Sequence, residues 1–225
     1  AFKLAQNYIY NSSPKEAALH IDKIVKAKPE YFYNIGIYKS MDMMYDLADN
    51  GEFAQAAAIA KALFERMEPV EDGYEELSRN IGIWLSKTDN KKEALAALNK
   101  YIELFGDGMY SQEVQIAKDG LFFDVNDENT SVKLSTYNKL IDEYYGDSIG
   151  NKAIYEKAKL LMQNERFSEA LAMESELLEL NPQEYQDVAE LITQAAIGAM
   201  KQALEIKECN SVLVISSRYK VELSD

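Results

Sequence analysis

Small residues recur along this chain at an almost constant interval, and this recurrence constrains the fold more than any other feature. One series, with spacings of 39 and then 38 residues, comprises Ala5, Met44, Gly82, Gly120, Ala158 and Ala196. A second series lies twelve residues further on and comprises Ala17, Ala56, Ala94, Val132 and Ala170, with Cys209 one position late. Self-similarity at this period is typical of stacked-repeat proteins, which build long binding surfaces rather than enclosed catalytic pockets.

The segments between these residues read as pairs of antiparallel amphipathic helices, A and B, joined by short polar turns. Ser13-Pro14-Lys15-Glu16 combines an N-cap serine, a proline in the first turn and a capping-box glutamate. Pro29, Pro182 and Gly106 mark helix ends. We expect the small residues to lie where A and B helices cross. Six hairpins are predicted, the fourth being the least regular: 1–29, 37–68, 75–106, 110–146, 151–181 and 184–223.

Composition narrows the possible partners. The net charge of −14 argues against binding to nucleic-acid phosphates or to anionic lipid. No run of 18 apolar residues is present, so no direct membrane insertion is expected. The single cysteine, Cys209, excludes an internal disulfide, and its place in the second series predicts a buried small side chain. Because the chain starts at Ala1 without an initiator methionine, a processed protein or a fragment of a longer one is expected.

Residues with catalytic or metal-binding potential are few. His20 is the only histidine, and with one cysteine it cannot complete a zinc site of nitrogen and sulfur ligands. We interpret it as a packing or surface residue. The run Asp124–Asn129 lacks the glycine and glutamate that a calcium loop places at its sixth and twelfth positions, so an interhelical turn is favoured. No catalytic residue, metal or cofactor is predicted.

One repeat carries a pattern that resembles the tetratricopeptide repeat (TPR). The matching residues are Ile154, Tyr155, Ala158, Leu161, Asn164, Phe167, Ala170, Leu177 and Pro182. The period of about 38 exceeds the 34 of that family; the extra residues fall between hairpins, as in the related Sel1-like repeats. The resemblance implies an all-α, right-handed α-solenoid of about six hairpins that fills residues 1–225 as one domain. It also implies a non-catalytic scaffold that binds proteins.

In that family, one side of each A helix lines a concave groove that holds a partner peptide or helix. The corresponding residues here are Tyr38, Met41, Tyr45, Arg79, Ile83, Lys118, Leu121, Lys152, Tyr155, Lys159 and Met162. Because this set is rich in tyrosine, methionine and basic residues, an amphipathic or mildly acidic segment is the expected partner. Interhelix packing is the competing interpretation of the tyrosines. The acidic residues of the B helices are expected to form a solvated outer face, where a basic partner is the alternative.

A narrower resemblance concerns the alanine-rich repeats and the closing run 207–220, which are similar to repeat domains of the paralysed-flagellum proteins. That resemblance implies a structural component of a bacterial flagellar motor and favours a periplasmic over a cytoplasmic location. The alternatives are a chaperone or adaptor module in another assembly and an enzyme built on helical hairpins. The family's carboxylate clamp needs Lys and Asn where Phe2 and Gln6 stand, and no paired acidic motifs face each other on A helices.

Overall fold

The computed structural model describes residues 1–125 and 129–220, and within these ranges all regular structure is α-helical. The fourteen helices of the described ranges are α1 (Phe2–Tyr10), α2 (Pro14–Ala27), α3 (Tyr31–Asn34), α4 (Ile37–Asp49), α5 (Phe53–Phe64), α6 (Tyr74–Ser86), α7 (Lys91–Phe105), α8 (Ser111–Val125), α9 (Thr130–Glu143), α10 (Ser148–Gln163), α11 (Phe167–Ala172), α12 (Glu174–Glu179), α13 (Val188–Glu205) and α14 (Cys209–Tyr219). The all-α class is confirmed. No helix within the described ranges is both long and apolar enough to cross a bilayer.

The helices form two compact units, Ala1–Val125 and Asn126–Asp225. In the first unit, α1 packs on α2, α4 on α5, and α6 on both α5 and α7, while α8 packs on α6 and α7. In the second unit, α9 packs on α10, α10 and α13 both pack on α11, and α13 packs on α14. The helices of the predicted fourth hairpin therefore belong to different units. A single continuous solenoid over residues 1–225 stays a prediction.

The small residues occupy the core at most of the predicted positions. Ala5, Ala17, Ala56, Ala94, Ala158 and Ala196 are fully buried. Gly82 shows the reason for a small side chain most directly. A Cβ built on it would lie 2.5 Å from Leu98 Cδ2 and 2.8 Å from Leu98 Cγ. The prediction that small residues stand where A and B helices cross is thus confirmed between α6 and α7.

The fourth repeat departs from the predicted register. Val132 is 40% exposed and Gly120 is partly exposed, so neither occupies a buried crossing position. Helix α8 instead buries Val114 and Leu121, which are seven residues apart and lie on one side of the helix. That side packs into the core of the first unit. The core therefore contacts a different side of α8 than the repeat pattern predicts.

The predicted burial of Cys209 is wrong, because the residue is exposed. It is the first residue of α14, and the inner side of that helix is formed by Val212, Ile215 and Tyr219. These three side chains pack against the small core that contains Ala196 and Met200. Cys209 stands at the exposed start of the helix, ahead of these packed residues, and its neighbours 207–210 are exposed as well.

The connectors between hairpins contain structure that the repeat pattern does not reveal. As predicted, extra residues lie there, for example 65–73 between α5 and α6. The short helix α3 lies in the first connector, and its Phe32 is fully buried. The fifth B helix, predicted as continuous, is interrupted at the buried Met173 between α11 and α12. Phe32 enters the core from a four-residue helix that is too short to show a periodic pattern, whereas Met173 keeps the helical spacing of the buried Ala170 and Leu177.

Candidate functional site

The predicted binding residues of the first unit lie on the A helices α4, α6 and α8. We call the set Tyr38, Met41, Tyr45, Arg79, Ile83 and Lys118 the first A-helix face. Tyr38 is 75% exposed, and the other members are partly exposed. Leu121, by contrast, is 3% exposed. Its prediction as a partner contact is wrong for the conformation described here, because the rotated α8 turns it into the core.

A hydrogen-bonded network fixes the centre of this face. The Tyr45 hydroxyl donates to the Glu76 carboxylate and accepts a hydrogen bond from Asn80 Nδ2 at 3.0 Å. The Tyr45 ring meets Trp84 edge-on, with ring centroids 5.7 Å apart. Asn80 itself is fully buried. Tyr45 is therefore a packing residue that joins α4 to α6, which supports the packing interpretation for this tyrosine.

Arg79 extends the network to α8. Its Nε and Nη2 donate to the two carboxylate oxygens of Glu113 at 2.8 and 2.6 Å, and its Nη1 donates to Asn80 Oδ1 at 2.5 Å. The guanidinium also lies 5.2 Å from the centroid of the Tyr110 ring. A two-pronged arginine–carboxylate pair is geometrically specific and relatively strong. Because Glu113 already neutralises Arg79, this side chain is not a free cation for an acidic partner.

The position of Tyr45 raises the pKa of its phenol to about 12, first through burial and then through the hydrogen bond to Glu76. The neutral phenol is thus favoured in the folded state over the unfolded chain, where the pKa is about 10. The stabilisation that this preference provides is present below pH 10 and is lost as the pH rises towards 12.

We therefore expect the free energy of unfolding of the wild-type protein to fall between about pH 10 and the raised pKa more steeply than that of Tyr45→Phe. Phenylalanine keeps the ring and lacks the ionisable hydroxyl. Denaturant unfolding followed at several alkaline pH values measures both profiles. Parallel profiles for the two proteins would contradict the raised pKa.

The predicted residues of the second unit lie on α10, and Tyr155 and Lys159 form the second A-helix face. The Tyr155 hydroxyl donates to both carboxylate oxygens of Asp187, at 2.8 and 2.7 Å, and its ring lies 5.0 Å from that of Tyr185. Burial and then Asp187 raise the pKa of Tyr155 to about 12. Lys159 Nζ is 4.8 Å from the Tyr155 ring and 4.0 Å from Glu156. The structure thus brings these two predicted residues together.

The partners of these residues were not predicted from the sequence. Asn80 lies 35 residues after Tyr45, and Glu113 lies 34 residues after Arg79, so each pair joins equivalent regions of successive repeats. A search for polar residues separated by about one repeat would have found both pairs. The same spacing brings Asp187, 32 residues after Tyr155, to the second A-helix face.

The remaining chemical candidates have structural roles. His20 stacks on Tyr8 with centroids 5.5 Å apart and an angle of 11° between the rings. Residues 126–128 of the run considered for calcium lie outside the described residues, and Asn129 caps α9 by accepting a hydrogen bond from the Val132 amide at 3.1 Å. Within the described part of the chain, no three histidine, cysteine or carboxylate side chains are grouped so that they could hold a metal.

Comparison with known proteins returns a structural neighbour. No protein-family model matches the chain, and no curated protein sequence matches it. Among solved structures, the chain is similar to the C-terminal part of a TPR repeat-containing protein from Cytophaga hutchinsonii, with 17% sequence identity and a TM-score of 0.49. The alignment covers 97% of this chain and 80% of that chain.

Proposed function

We propose that this protein is a non-catalytic scaffold whose A-helix faces each bind a segment of a partner protein. The observation that carries the proposal is the exposure of Tyr38 beside a network of fixed side chains on the first A-helix face. Tyr38 is 75% exposed, whereas Tyr45 and Arg79 are held by Glu76, Asn80 and Glu113. Exposed aromatic residues are common anchors in protein interfaces.

The fixed network supports binding by reducing its entropic cost. Ordering a long side chain on association costs about 0.5–1.5 kcal/mol. Arg79 is already ordered by Glu113 and Tyr110, and Tyr45 by Trp84 and its hydrogen bonds. A partner that packs against Tyr38, Met41 and Ile83 therefore meets a surface whose central side chains need no further ordering.

The contacts of each side chain decide which substitution tests the first A-helix face most clearly. Alanine at Tyr45 or Arg79 would break contacts between helices, so a loss of binding would be ambiguous. Tyr38 makes a cleaner test because most of its surface faces solvent. Tyr10, at the end of α1, is 89% exposed and lies outside the predicted set, so Tyr10→Ala is a matched control.

We expect Tyr38→Ala to weaken partner binding by roughly tenfold or more, which corresponds to about 1.4 kcal/mol, and Tyr10→Ala to leave it nearly unchanged. A photoreactive amino acid at position 38 would first identify the partner segment. Titration calorimetry with that purified segment then compares the two variants, while circular dichroism checks that both remain folded. Equal affinities for wild type and Tyr38→Ala would refute the first A-helix face as the binding site.

Two finer hypotheses rest on the sequence resemblances alone. A role in a bacterial flagellar motor, with a periplasmic location, stays a prediction that cell fractionation and pull-down of motor proteins would test. The chaperone-adaptor alternative requires a carboxylate clamp, and one of its positions is occupied here by Phe2. Phe2 is buried in the core of the first unit and cannot contact a ligand carboxylate, so this alternative gains no support. Glu174 is one of the acidic residues of the fifth B helix, and Arg218 and Tyr219 both bind its carboxylate. A charge reversal at Glu174 would therefore disturb these contacts as well as any partner on the outer face.

A further inference from the structure

The A helices of the first unit carry an excess of negative charge. Helices α4, α6 and α8 contain eight carboxylate and three basic side chains. The carboxylates are Asp42, Asp46, Asp49, Glu75, Glu76, Glu113, Asp119 and Asp124, and the basic residues are Lys39, Arg79 and Lys118. Because Glu113 binds Arg79 through both carboxylate oxygens, one of the three cations is already neutralised.

Helix α4 concentrates part of this negative charge beside the exposed Tyr38. Asp42 lies one helical turn after Tyr38, so the two side chains are neighbours on the same side of the helix. Asp46 and Asp49 follow over the next two turns, and all three aspartates are exposed. Lys39 is the one basic residue of α4. Within the described ranges, none of these four charged side chains forms an ion pair.

The three aspartates of α4 repel one another. Burial raises the pKa of Asp46, and the nearby carboxylates of Asp42 and Asp49 raise it further. In the part of the chain that the structure describes, no such cluster is grouped so that it could hold a metal ion. A cation supplied by a partner protein would relieve the repulsion, and it would meet the Tyr38 ring at the same place.

We propose that the α4 part of the first A-helix face binds a basic segment of a partner protein, with an arginine that stacks on the Tyr38 ring and pairs with Asp42. A guanidinium group can both stack on an aromatic ring and bind a carboxylate through two hydrogen bonds. Met41 is partly exposed on α4 and would contact the apolar part of the segment. A second copy of this chain fits less well, because each copy has a net charge of −14.

This inference rests on the proposed function, since it uses the same face, and it changes the sign of the partner's charge. The sequence pattern favours an amphipathic or mildly acidic segment, whereas the contacts of Arg79 and the unpaired aspartates of α4 favour a basic one. Charge complementarity of this kind selects partners and speeds their association.

A display library of random short peptides tests the sign of the charge without assuming a sequence. Selection on the full chain should enrich peptides that carry a net positive charge and at least one arginine. Synthetic copies of these peptides should bind the wild-type chain in fluorescence anisotropy, and their affinity should fall as salt is raised. Enrichment of acidic peptides, or of no peptide, would overturn the proposal.

Charge reversal locates the binding to α4. Asp42→Lys should weaken an enriched basic peptide by roughly tenfold or more, because it replaces the attracting carboxylate by a cation. Glu103→Lys is the matched control, since Glu103 is exposed on the B helix α7 and its reversal changes the net charge by the same amount. The control should alter the affinity by less than about twofold. Circular dichroism checks that both variants remain folded.

Tyr38→Ala separates the basic partner from the binding face. If Tyr38→Ala loses binding and Asp42→Lys does not, the first A-helix face stands as a binding site and the basic partner is overturned. Unchanged affinity in Tyr38→Ala, whatever the effect of Asp42→Lys, would refute both. A wild-type dimer in sedimentation that Asp42→Lys dissociates would also overturn the basic partner, because a second copy would then cover the face.

Discussion

Replacing Leu98 by alanine is expected to lower the free energy of unfolding by about 2–5 kcal/mol. Leu98 is fully buried in the core of the first unit, so alanine removes apolar contacts and leaves a cavity. Leu104 lies on the same helix and is 49% exposed. Leu104→Ala is therefore the matched control, with an expected loss below about 1 kcal/mol. Denaturant unfolding of both variants measures the difference.

The contact between Leu98 and Gly82 can be tested by making Gly82→Ala in the wild type and in the Leu98→Ala variant. In the wild type, Gly82→Ala would bring a methyl group to 2.5 Å from Leu98 Cδ2, and this crowding should cost about 1–3 kcal/mol. In the Leu98→Ala background Cδ2 and Cγ are absent, and the nearest remaining atom is the backbone amide nitrogen of residue 98, at 3.3 Å. There the higher helix propensity of alanine should make Gly82→Ala neutral or stabilising.

The double-mutant cycle should thus give a coupling energy of about 1–3 kcal/mol, within the range found for residues in contact. If the effects of the two substitutions are additive, the close crossing of α6 and α7 does not require glycine at position 82. Such a result would also weaken the interpretation of the whole small-residue series, because Gly82 is its clearest structural example.

The hairpins of the first unit could be predicted from sequence because close helix crossings demand small residues at regular intervals. The predicted spans 37–68 and 75–106 agree with α4–α5 and α6–α7 to within a few residues. Phe32 shows where this reasoning stops. It fills the core from a four-residue helix in a connector, and that helix is too short to show helical periodicity in the sequence.

The candidate site was predictable to a smaller extent. The transferred pattern selected Tyr38, Tyr45 and Arg79, and it is right that they lie on A helices. It did not reveal that Arg79 is paired with Glu113, because this choice depends on side-chain conformations across two helices. For Leu121 the transfer was wrong, because Val114 and Leu121 form the side of α8 that is buried in the core.

Tyr110, in the connector between α7 and α8, contacts Arg79 of the first A-helix face, and Tyr101 on α7 holds Tyr110 in place. Tyr101 is fully buried; its hydroxyl donates to Glu75 Oε1 at 2.5 Å and accepts from the Tyr110 amide at 3.0 Å. Tyr110 in turn carries the ring beneath Arg79. Gly108 permits this approach, because a Cβ there would lie 2.9 Å from the Tyr101 hydroxyl oxygen.

We therefore expect Tyr101→Ala to lower the free energy of unfolding by about 3–5 kcal/mol, through the cavity left by the ring. Tyr101→Phe keeps the ring and leaves the Tyr110 amide without its acceptor, so about 1–3 kcal/mol is expected. Denaturant unfolding measures both losses.

Amide hydrogen exchange at Tyr110 separates the contributions of ring and hydroxyl. The Tyr110 amide should exchange faster in Tyr101→Phe, while amides in the middle of α7 remain protected relative to the global stability of that variant. If Tyr101→Phe is as stable as the wild type and Tyr110 exchanges at an unchanged rate, the hydroxyl does not hold the connector. The ring would then act only as core packing, and the position of Tyr110 under Arg79 would have to depend on α8 itself.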